Sequence, residues 1–188
     1  MQKNEIKDLT VGSPMKLILS FAIPMLFGFL FQQFYNMVDT IIVGKCLGVS
    51  ALAAVGSAYT LMVFLTSIFL GLSMGAGALF SICLGRGEKK ALRAAVAHAF
   101  ALIGAVTLVL NLSVYLLADP ILRFLQIPHE LYSSMRDYLL IIFGGLAATF
   151  LYNFFACLLR AVGNSVAPLW FLGAAALLNI GLDLLFVL

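Results

Sequence analysis

The chain contains 188 residues, of which 63% are hydrophobic and 10% are charged, and its formal net charge is +3. A soluble globular domain carries about 25% charged residues, so the composition excludes that class and predicts an all-α integral membrane protein. The basic residues are concentrated between the apolar runs, where lipid head groups would meet them. This distribution excludes nucleic acid as a partner and indicates the lipid bilayer instead.

Five long apolar runs follow one another along the chain. A membrane-spanning helix needs about 20 mostly apolar residues, and every run reaches that length. They predict transmembrane helices near residues 17–43, 50–83, 94–118, 134–159 and 166–188. Residues 1–16 are polar and of mixed charge, which indicates a cytoplasmic N-terminal tail rather than a signal peptide.

The lysine and arginine residues predict how the helices are oriented. With the N-terminus in the cytoplasm, eight of these residues fall on the inner side and three on the outer side. Such a positive-inside bias predicts a multi-pass protein of the plasma membrane, the inner membrane of a bacterial cell. The odd number of helices, ending without a polar tail, predicts a fragment that lacks at least one further helix.

Polar side chains share one face of the first predicted helix. Gln32, Asn36 and Asp39 are spaced i, i+4 and i+7, which places them on the same side of an α-helix. Amides can serve to hold helices together, and this structural role stays open for Gln32 and Asn36. Packing does not require an acid, so Asp39 indicates an ion or substrate path. Pro24, earlier in the same helix, predicts a kink.

Aromatic residues and glycines in the spans have two interpretations each. A group of aromatic residues could line an apolar cavity or face lipid: Phe27, Phe31, Phe34, Tyr35, Tyr152 and Phe155. Gly71 and Gly75 form a small-xxx-small pattern that is typical of close helix packing. The cysteines and histidines lack metal-ligand spacing, so no bound cofactor is predicted.

The last predicted helix carries a second acid. Asn179 and Asp183 are one helical turn apart and share a face, and Asp183 comes as late in its helix as Asp39 does in the first. The two carboxylates are therefore expected in the outer half of the bilayer, at comparable depth. Two nearby carboxylates in a low dielectric cannot both stay ionised without help. A proton or a hard cation such as Na⁺ could neutralise them.

Three segments, in order and in register over essentially the whole chain, resemble the multidrug and toxic compound extrusion (MATE) family of transporters. They are Pro24 to Gly44 with its Val38-Asp39-Thr40-Ile41-Ile42-Val43-Gly44 core, the Arg160-Ala161-Val162-Gly163-Asn164-Ser165 turn with Pro168, and Leu178-Asn179-Ile180-Gly181-Leu182-Asp183. The resemblance implies a fold of twelve helices in two six-helix lobes. This chain would form five helices of the N-terminal lobe, without the sixth helix and the C-terminal lobe.

The resemblance also implies residue roles. Asp39 would be the proton or sodium site, completed by Asn179 and Asp183, and Pro24 would be a hinge. Gln32, Tyr35 and Asn36 are candidates for lining the cavity. The implied function is part of a Na⁺- or H⁺-coupled antiporter that exports organic, often cationic, amphiphiles, with the coupling ion in place of a cofactor.

Three other functions are alternatives to the antiporter. A lipid-linked precursor flippase of the same superfamily would need a cationic cavity for a diphosphate, whereas the intramembrane charges here are mainly acidic. An intramembrane aspartyl protease uses two acids, but the Gly-x-Gly-Asp turn of such enzymes is missing before Asp183, so no enzyme is expected. A fragment that does not transport is the third alternative.

Overall fold

The computed structural model describes residues 12–46, 48–124 and 132–187, and all the regular structure in these ranges is α-helical. The helices are α1 Pro14–Cys46, α2 Gly48–Gly85, α3 Lys89–Phe124, α4 Tyr132–Gly144, α5 Leu146–Ala161 and α6 Val166–Val187. Within these ranges, four spans are long and apolar enough to cross a membrane: Pro14–Cys46, Tyr59–Gly85, Lys89–Phe124 and Met135–Ala161. The predicted all-α membrane class is thereby confirmed, with α4 and α5 together forming one span. Most of the predicted tail, residues 1–11, lies outside the described ranges.

Glycine ends α2 and allows the chain to reverse. Gly87 has a φ of 70°, a left-handed conformation that a residue without a Cβ adopts at little cost. Its N–H donates to the carbonyl of Leu84, and the N–H of Glu88 donates to the carbonyl of Cys83. These two bonds satisfy carbonyls that the helix end would leave free, so α3 can begin immediately at Lys89.

The turn between α5 and α6 also contains a glycine in the left-handed conformation, and a side chain caps the start of α6. Gly163 has a φ of 84°, and the Oδ1 atom of Asn164 accepts hydrogen bonds from the N–H groups of Val166 (3.2 Å) and Ala167 (3.0 Å). Pro168 follows in the first turn of α6, where a missing N–H costs little. The cap and the proline together fix where α6 begins.

The fourth predicted helix is interrupted at Gly145. The N–H of Gly145 donates to the carbonyl of Ile142 at 2.9 Å, three residues back instead of four, and α4 ends there. A Cβ atom at Gly145 would lie only 3.1 Å from that carbonyl oxygen, so glycine permits the tight turn. Apolar periodicity does not reveal this break, because both halves are equally apolar.

Side chains of α3 satisfy carbonyls beside the break. Asn111 donates through Nδ2 to the carbonyl of Phe143 at 2.7 Å, and the Tyr115 hydroxyl donates to the carbonyl of Leu140 at 3.0 Å. Lipid offers no hydrogen bonds to an exposed carbonyl. An interrupted helix is therefore stable here because its neighbour supplies the donors.

The α3–α4 hairpin is fastened at the end opposite to the Gly87 turn. Asp119 Oδ1 accepts hydrogen bonds from the Tyr132 hydroxyl at 3.0 Å and from Arg136 Nε at 3.1 Å. Helix α3 runs through Pro120 to Phe124, beyond the predicted end near residue 118. The extra turn brings Asp119 within reach of α4.

Buried apolar side chains connect α2 to α5. This core contains Leu65, Phe69, Phe80, Ile103, Val114, Leu122, Met135, Leu139, Phe143, Leu146, Phe150 and Phe154. On α2 the close approach to α5 is at Gly77, where an added Cβ would lie 3.5 Å from the Cys157 Cβ. Nothing lies within 4 Å of a Cβ built on Gly71 or Gly75, so the predicted glycine pair is not the packing point among the described residues.

Helices α1 and α6 form a second layer on this core and pack mainly against each other. Gly28 of α1 is the close-approach point, because a Cβ atom there would be 3.6 Å from a methyl carbon of Leu169 and 3.7 Å from one of Leu172. The absence of a side chain at Gly28 lets α6 lie directly on α1. This contact brings the two helices that carry the predicted acids side by side.

Candidate functional site

A cavity of about 440 Å³ opens between α1, α2, α5 and α6. It is lined by Pro24, Met25, Gly28, Phe29, Gln32, Tyr35, Thr66, Leu70, Ala148, Thr149, Tyr152, Asn153, Arg160, Ser165, Pro168, Leu169, Phe171, Leu172 and Ala175. Small-molecule sites usually measure about 300–1,000 Å³ and combine apolar walls with a few polar groups. The cavity therefore has the size and lining of a site for one drug-sized molecule.

Some of the candidate lining residues border this cavity and others do not. Gln32 and Tyr35 line it, with Pro24. Asn36 does not, and its Nδ2 atom lies 3.4 Å from Gln33 Oε1 on the same helix. Among the aromatic candidates Tyr152 also lines the cavity, whereas four others are exposed on the outside of the described bundle: Phe27, Phe31, Phe34 and Phe155.

Arg160 lies at the end of the cavity next to the α5–α6 turn. Among the described residues that line the cavity, it alone carries a charge. Its Nε atom is buried without a hydrogen-bond partner among the described residues, and its Nη1 atom lies 4.0 Å from the Cys157 sulfur. Tyr152 lies within electrostatic range of both Arg160 and Tyr35. The sequence suggested Arg160 only as part of a turn, because its position beside α1 depends on the packing of distant segments.

Asp39 is half-buried on α1 and does not line the cavity. Tyr138 of α4 lies within electrostatic range of it. Sequence reasoning did not single out Tyr138, and its only signal there is a phenol within an apolar run. The acid is thus near a group that can donate or accept a hydrogen bond.

Asn179 of α6 has a buried side-chain oxygen, Oδ1, with no hydrogen-bond partner among the described residues. Buried polar atoms are nearly always satisfied, so an orphaned acceptor indicates a missing donor or cation. Asp183 lies one turn further along α6, and its side chain is outside the part of the chain that the structure describes. Its distance from Asp39 therefore stays a prediction.

Helix geometry relates Asn179 to Asp39. Three crossings separate α1 from α6 (α2, α3 and the α4–α5 pair), so the two helices run in the same direction. From the contact of Gly28 with Leu169 and Leu172, about 11 further residues, or roughly 16 Å of helical rise, lead to Asp39 on α1 and to residues 180–183 on α6. Asn179 is therefore near the level of Asp39 on the neighbouring helix.

The oxygen atoms at this level are suited to a small cation. Carboxylate and amide oxygens are the ligands that hard cations prefer, and a carboxylate can alternatively take a proton. No cluster of three or more His, Cys, Asp or Glu side chains occurs among the described residues, and the side chain of Asp183 is outside them.

Apolar spans surround a drug-sized cavity, and an acid on α1 and an amide on α6 lie further along these helices. This combination is typical of a membrane transport protein. The MatE family model matches residues 24–185, so the chain belongs to the MATE family of transporters, as the sequence motifs suggested. It is 29% identical over 180 residues to the probable multidrug resistance protein YpnP of Bacillus subtilis (strain 168), which covers 96% of this chain and 40% of that protein.

Solved structures agree with the fold. A MATE protein in the bent conformation matches with a TM-score of 0.89 and 24% identity, over 99% of this chain and 41% of that chain. The same type of protein in the straight conformation matches with a TM-score of 0.88 and 23% identity, also over 99% and 41%. The chain spans about 40% of the length of the relatives it matches, and the predicted MATE fold is confirmed for this part.

Proposed function

We propose that this chain is part of a Na⁺- or H⁺-coupled antiporter that exports small organic amphiphiles across the plasma membrane, with its N-terminus in the cytoplasm. The observation that supports the proposal is the Oδ1 atom of Asn179 on α6, which is buried without a partner among the described residues; α6 packs on α1, the helix that bears Asp39. In the proposed site, an acceptor near the level of the acid would gain energy from a cation or from a proton on that acid.

Coupling follows from the separation of the ion site and the cavity along α1. Asp39 lies beyond the cavity, whereas Gln32 and Tyr35 line it one to two turns earlier on the same helix. When an ion or a proton neutralises Asp39, α1 can change its packing against α6 and so change the shape of the cavity. Cargo and coupling ion then compete through the shape of α1, and each can drive release of the other.

Pro24 is the proposed hinge in α1. It lies inside the continuous helix α1 and also lines the cavity, so a change of bend there would reshape the cargo site directly. Kinks in long helices usually arise at proline. MATE structures with the same fold are described in a straight and in a bent conformation, and a change of bend at Pro24 is part of the present proposal.

The cavity favours drug-sized cargo over a lipid-linked precursor. A diphosphate headgroup would need several cations around it, as expected of a flippase. Among the described lining residues only Arg160 is charged, and most of the wall is apolar. The antiporter is therefore the function that the site supports best.

The test is drug resistance in an efflux-deficient bacterium that expresses the complete product of the gene. We expect Asp39→Asn and Asn179→Ala to return resistance to the level of the empty vector, because neither can bind the coupling ion normally. Glu88→Gln, which removes an exposed acid at the α2–α3 turn, is the matched control and should retain resistance. Unchanged resistance in Asp39→Asn, at equal protein in the membrane fraction, would refute the coupling role.

A further inference from the structure

We propose that Arg160 makes the cavity a receptor for amphiphiles that carry a carboxylate beside a large apolar body, so that zwitterionic cargo is preferred to purely cationic cargo. The inference rests on the proposed function, because it names the cargo class of the same cavity. It narrows the expectation of organic, often cationic, amphiphiles, which the resemblance implied.

The positive charge of Arg160 is the first reason to expect an anionic group in the ligand. Arginine stays protonated in proteins, and no carboxylate of the described residues lies within 4 Å of Arg160, whereas Arg136 has such a partner in Asp119. The position of Arg160 in the last turn of α5 explains a basic residue there, since cations are favourable at helix C-termini. It does not explain a buried Nε atom without a partner.

The Nε–H group of Arg160, which has no acceptor among the described residues, is the second reason. Arg160 is partly buried, and the lack of an acceptor is costly for a buried donor; the α5 carbonyls nearby are already used by the turn, since the Arg160 and Leu159 carbonyls accept from the N–H groups of Gly163 and Asn164. An acceptor supplied by a ligand would satisfy the guanidinium. A carboxylate is the best match, because its two oxygens can face the planar donors of arginine.

The surroundings of Arg160 define the rest of the ligand. Tyr152, within electrostatic range of Arg160, and the buried Ser165 also line the cavity, and their hydroxyl groups can donate to an oxyanion. Much of the remaining lining is apolar: Met25, Phe29, Leu70, Leu169, Phe171 and Leu172. Phe29 and Phe171 are 50% and 65% exposed, so the cavity is open beside them. A ligand would place its anionic group against Arg160 and its apolar body along α1 and α6.

The N-terminus of α6 adds to the same potential. Asn164 already accepts hydrogen bonds from its first N–H groups, so these groups offer no binding site of their own. The positive end of the helix dipole still lies beside Ser165. It reinforces the preference for a negative group at this end of the cavity.

The test compares two dyes that share one cationic ring system and differ only at one carboxyl group, which is free in one dye and ethylated in the other. Rhodamine B carries a free carboxylate, and rhodamine B ethyl ester does not. Binding of each dye to the complete gene product in phosphatidylcholine nanodiscs is measured by fluorescence polarisation, with empty nanodiscs as background. We expect the wild-type protein to bind rhodamine B more tightly than the ester, and Arg160→Gln to weaken rhodamine B binding about tenfold or more while leaving ester binding within about twofold.

Two further variants complete the experiment, one as a control and one as a conservative replacement. Arg93→Gln removes an exposed positive charge on α3, away from the cavity, and should leave both dyes unaffected. Arg160→Lys keeps the charge but loses the planar fork, so rhodamine B binding should fall only a few-fold; it serves as the test if Arg160→Gln does not fold. Equal weakening of both dyes by the folded Arg160 variant, or no weakening of either, would overturn the proposal.

A lipid phosphate could offer similar chemistry, and a second arm separates the two sources. Adding phosphatidylglycerol to the nanodiscs should leave rhodamine B binding unchanged if the cargo carboxylate is the natural partner. Displacement of rhodamine B by that lipid in the wild-type protein, but not in Arg160→Gln, would overturn the proposal in favour of a lipid headgroup. The ion-coupling role is tested separately by Asp39→Asn, so either idea can fail without the other.

Discussion

Tyr138 of α4 lies within electrostatic range of Asp39 of α1, although about 100 residues separate them in the sequence. The phenol brings a hydrogen-bonding group from the core layer to the acid on the second layer. A carboxylate that releases and rebinds an ion needs polar neighbours that stabilise both its ion-free and its ion-bound state. Tyr138 is therefore expected to tune the ion site without lining the cargo cavity.

Replacing Tyr138 by Phe should weaken ion binding without abolishing transport. The variant removes a polar neighbour of Asp39; at a cost of about 1 kcal/mol, the half-saturating concentration of the coupling ion should rise about fivefold, with little change in maximal rate. Dye efflux from proteoliposomes, measured against ion concentration, gives both values. Tyr59→Phe, at an exposed position on α2, is the control, and identical curves for the two variants would contradict this role.

Replacing Pro24 by Ala should straighten α1 and slow transport. Alanine restores the N–H that proline lacks and favours a regular helix. We expect turnover to fall several-fold while dye binding to the cavity persists and thermal stability holds or rises. The comparison is Pro120→Ala, which changes an exposed proline in α3. Equal turnover in the wild type and Pro24→Ala would argue against a hinge.

Replacing Asn111 by Leu should destabilise the interrupted helix. The variant removes the donor to the Phe143 carbonyl and leaves a polar group without a partner in a low dielectric, at a cost of about 1–3 kcal/mol. Unfolding by sodium dodecyl sulfate in mixed micelles measures the loss. Gln33→Leu, which removes an exposed amide on α1, should cost much less, and similar losses would show that the α3–α4 bond is unimportant.

Replacing Gly28 should reveal how closely α1 and α6 pack. Gly28→Ala places a Cβ at ordinary contact distance from Leu169 and Leu172 and should be tolerated. Gly28→Leu is too large for the interface and should cost about 1–3 kcal/mol, with loss of dye binding. Gly71→Leu adds the same side chain where nothing lies within 4 Å; comparable losses in both leucine variants would mean that the α1–α6 contact is not as close as described.

The sequence predicted the α-helical spans well, because these depend on local patterns, whereas the role of the polar face of α1 stays a prediction. A run of apolar residues decides a span by its length, and the spacing of Gln32, Asn36 and Asp39 decides a face by helical geometry. Glycine patterns were less informative. Gly71 and Gly75 matched the packing motif, yet the close approach of α2 to α5 is at Gly77, because the position of the facing helix decides which glycine is needed.

The remaining features depend on which helices meet. Tyr138 and Arg160 become candidates only because α4 lies near Asp39 and the end of α5 lies beside α1. The break at Gly145 is stable because Asn111 and Tyr115 of α3 reach its carbonyls. No local pattern encodes such long-range pairings, so they required the folded chain.

The most direct test of the account is ion-driven transport by purified protein. The complete gene product, in wild-type and Asp39→Asn forms, is reconstituted into liposomes, and dye export is followed after a sodium gradient or a pH gradient is imposed. We predict that one of these gradients drives export by the wild type and that neither drives export by Asp39→Asn, although the variant still binds dye. Equal gradient-driven export by the two proteins would contradict the central claim that the acid on α1 binds the coupling ion.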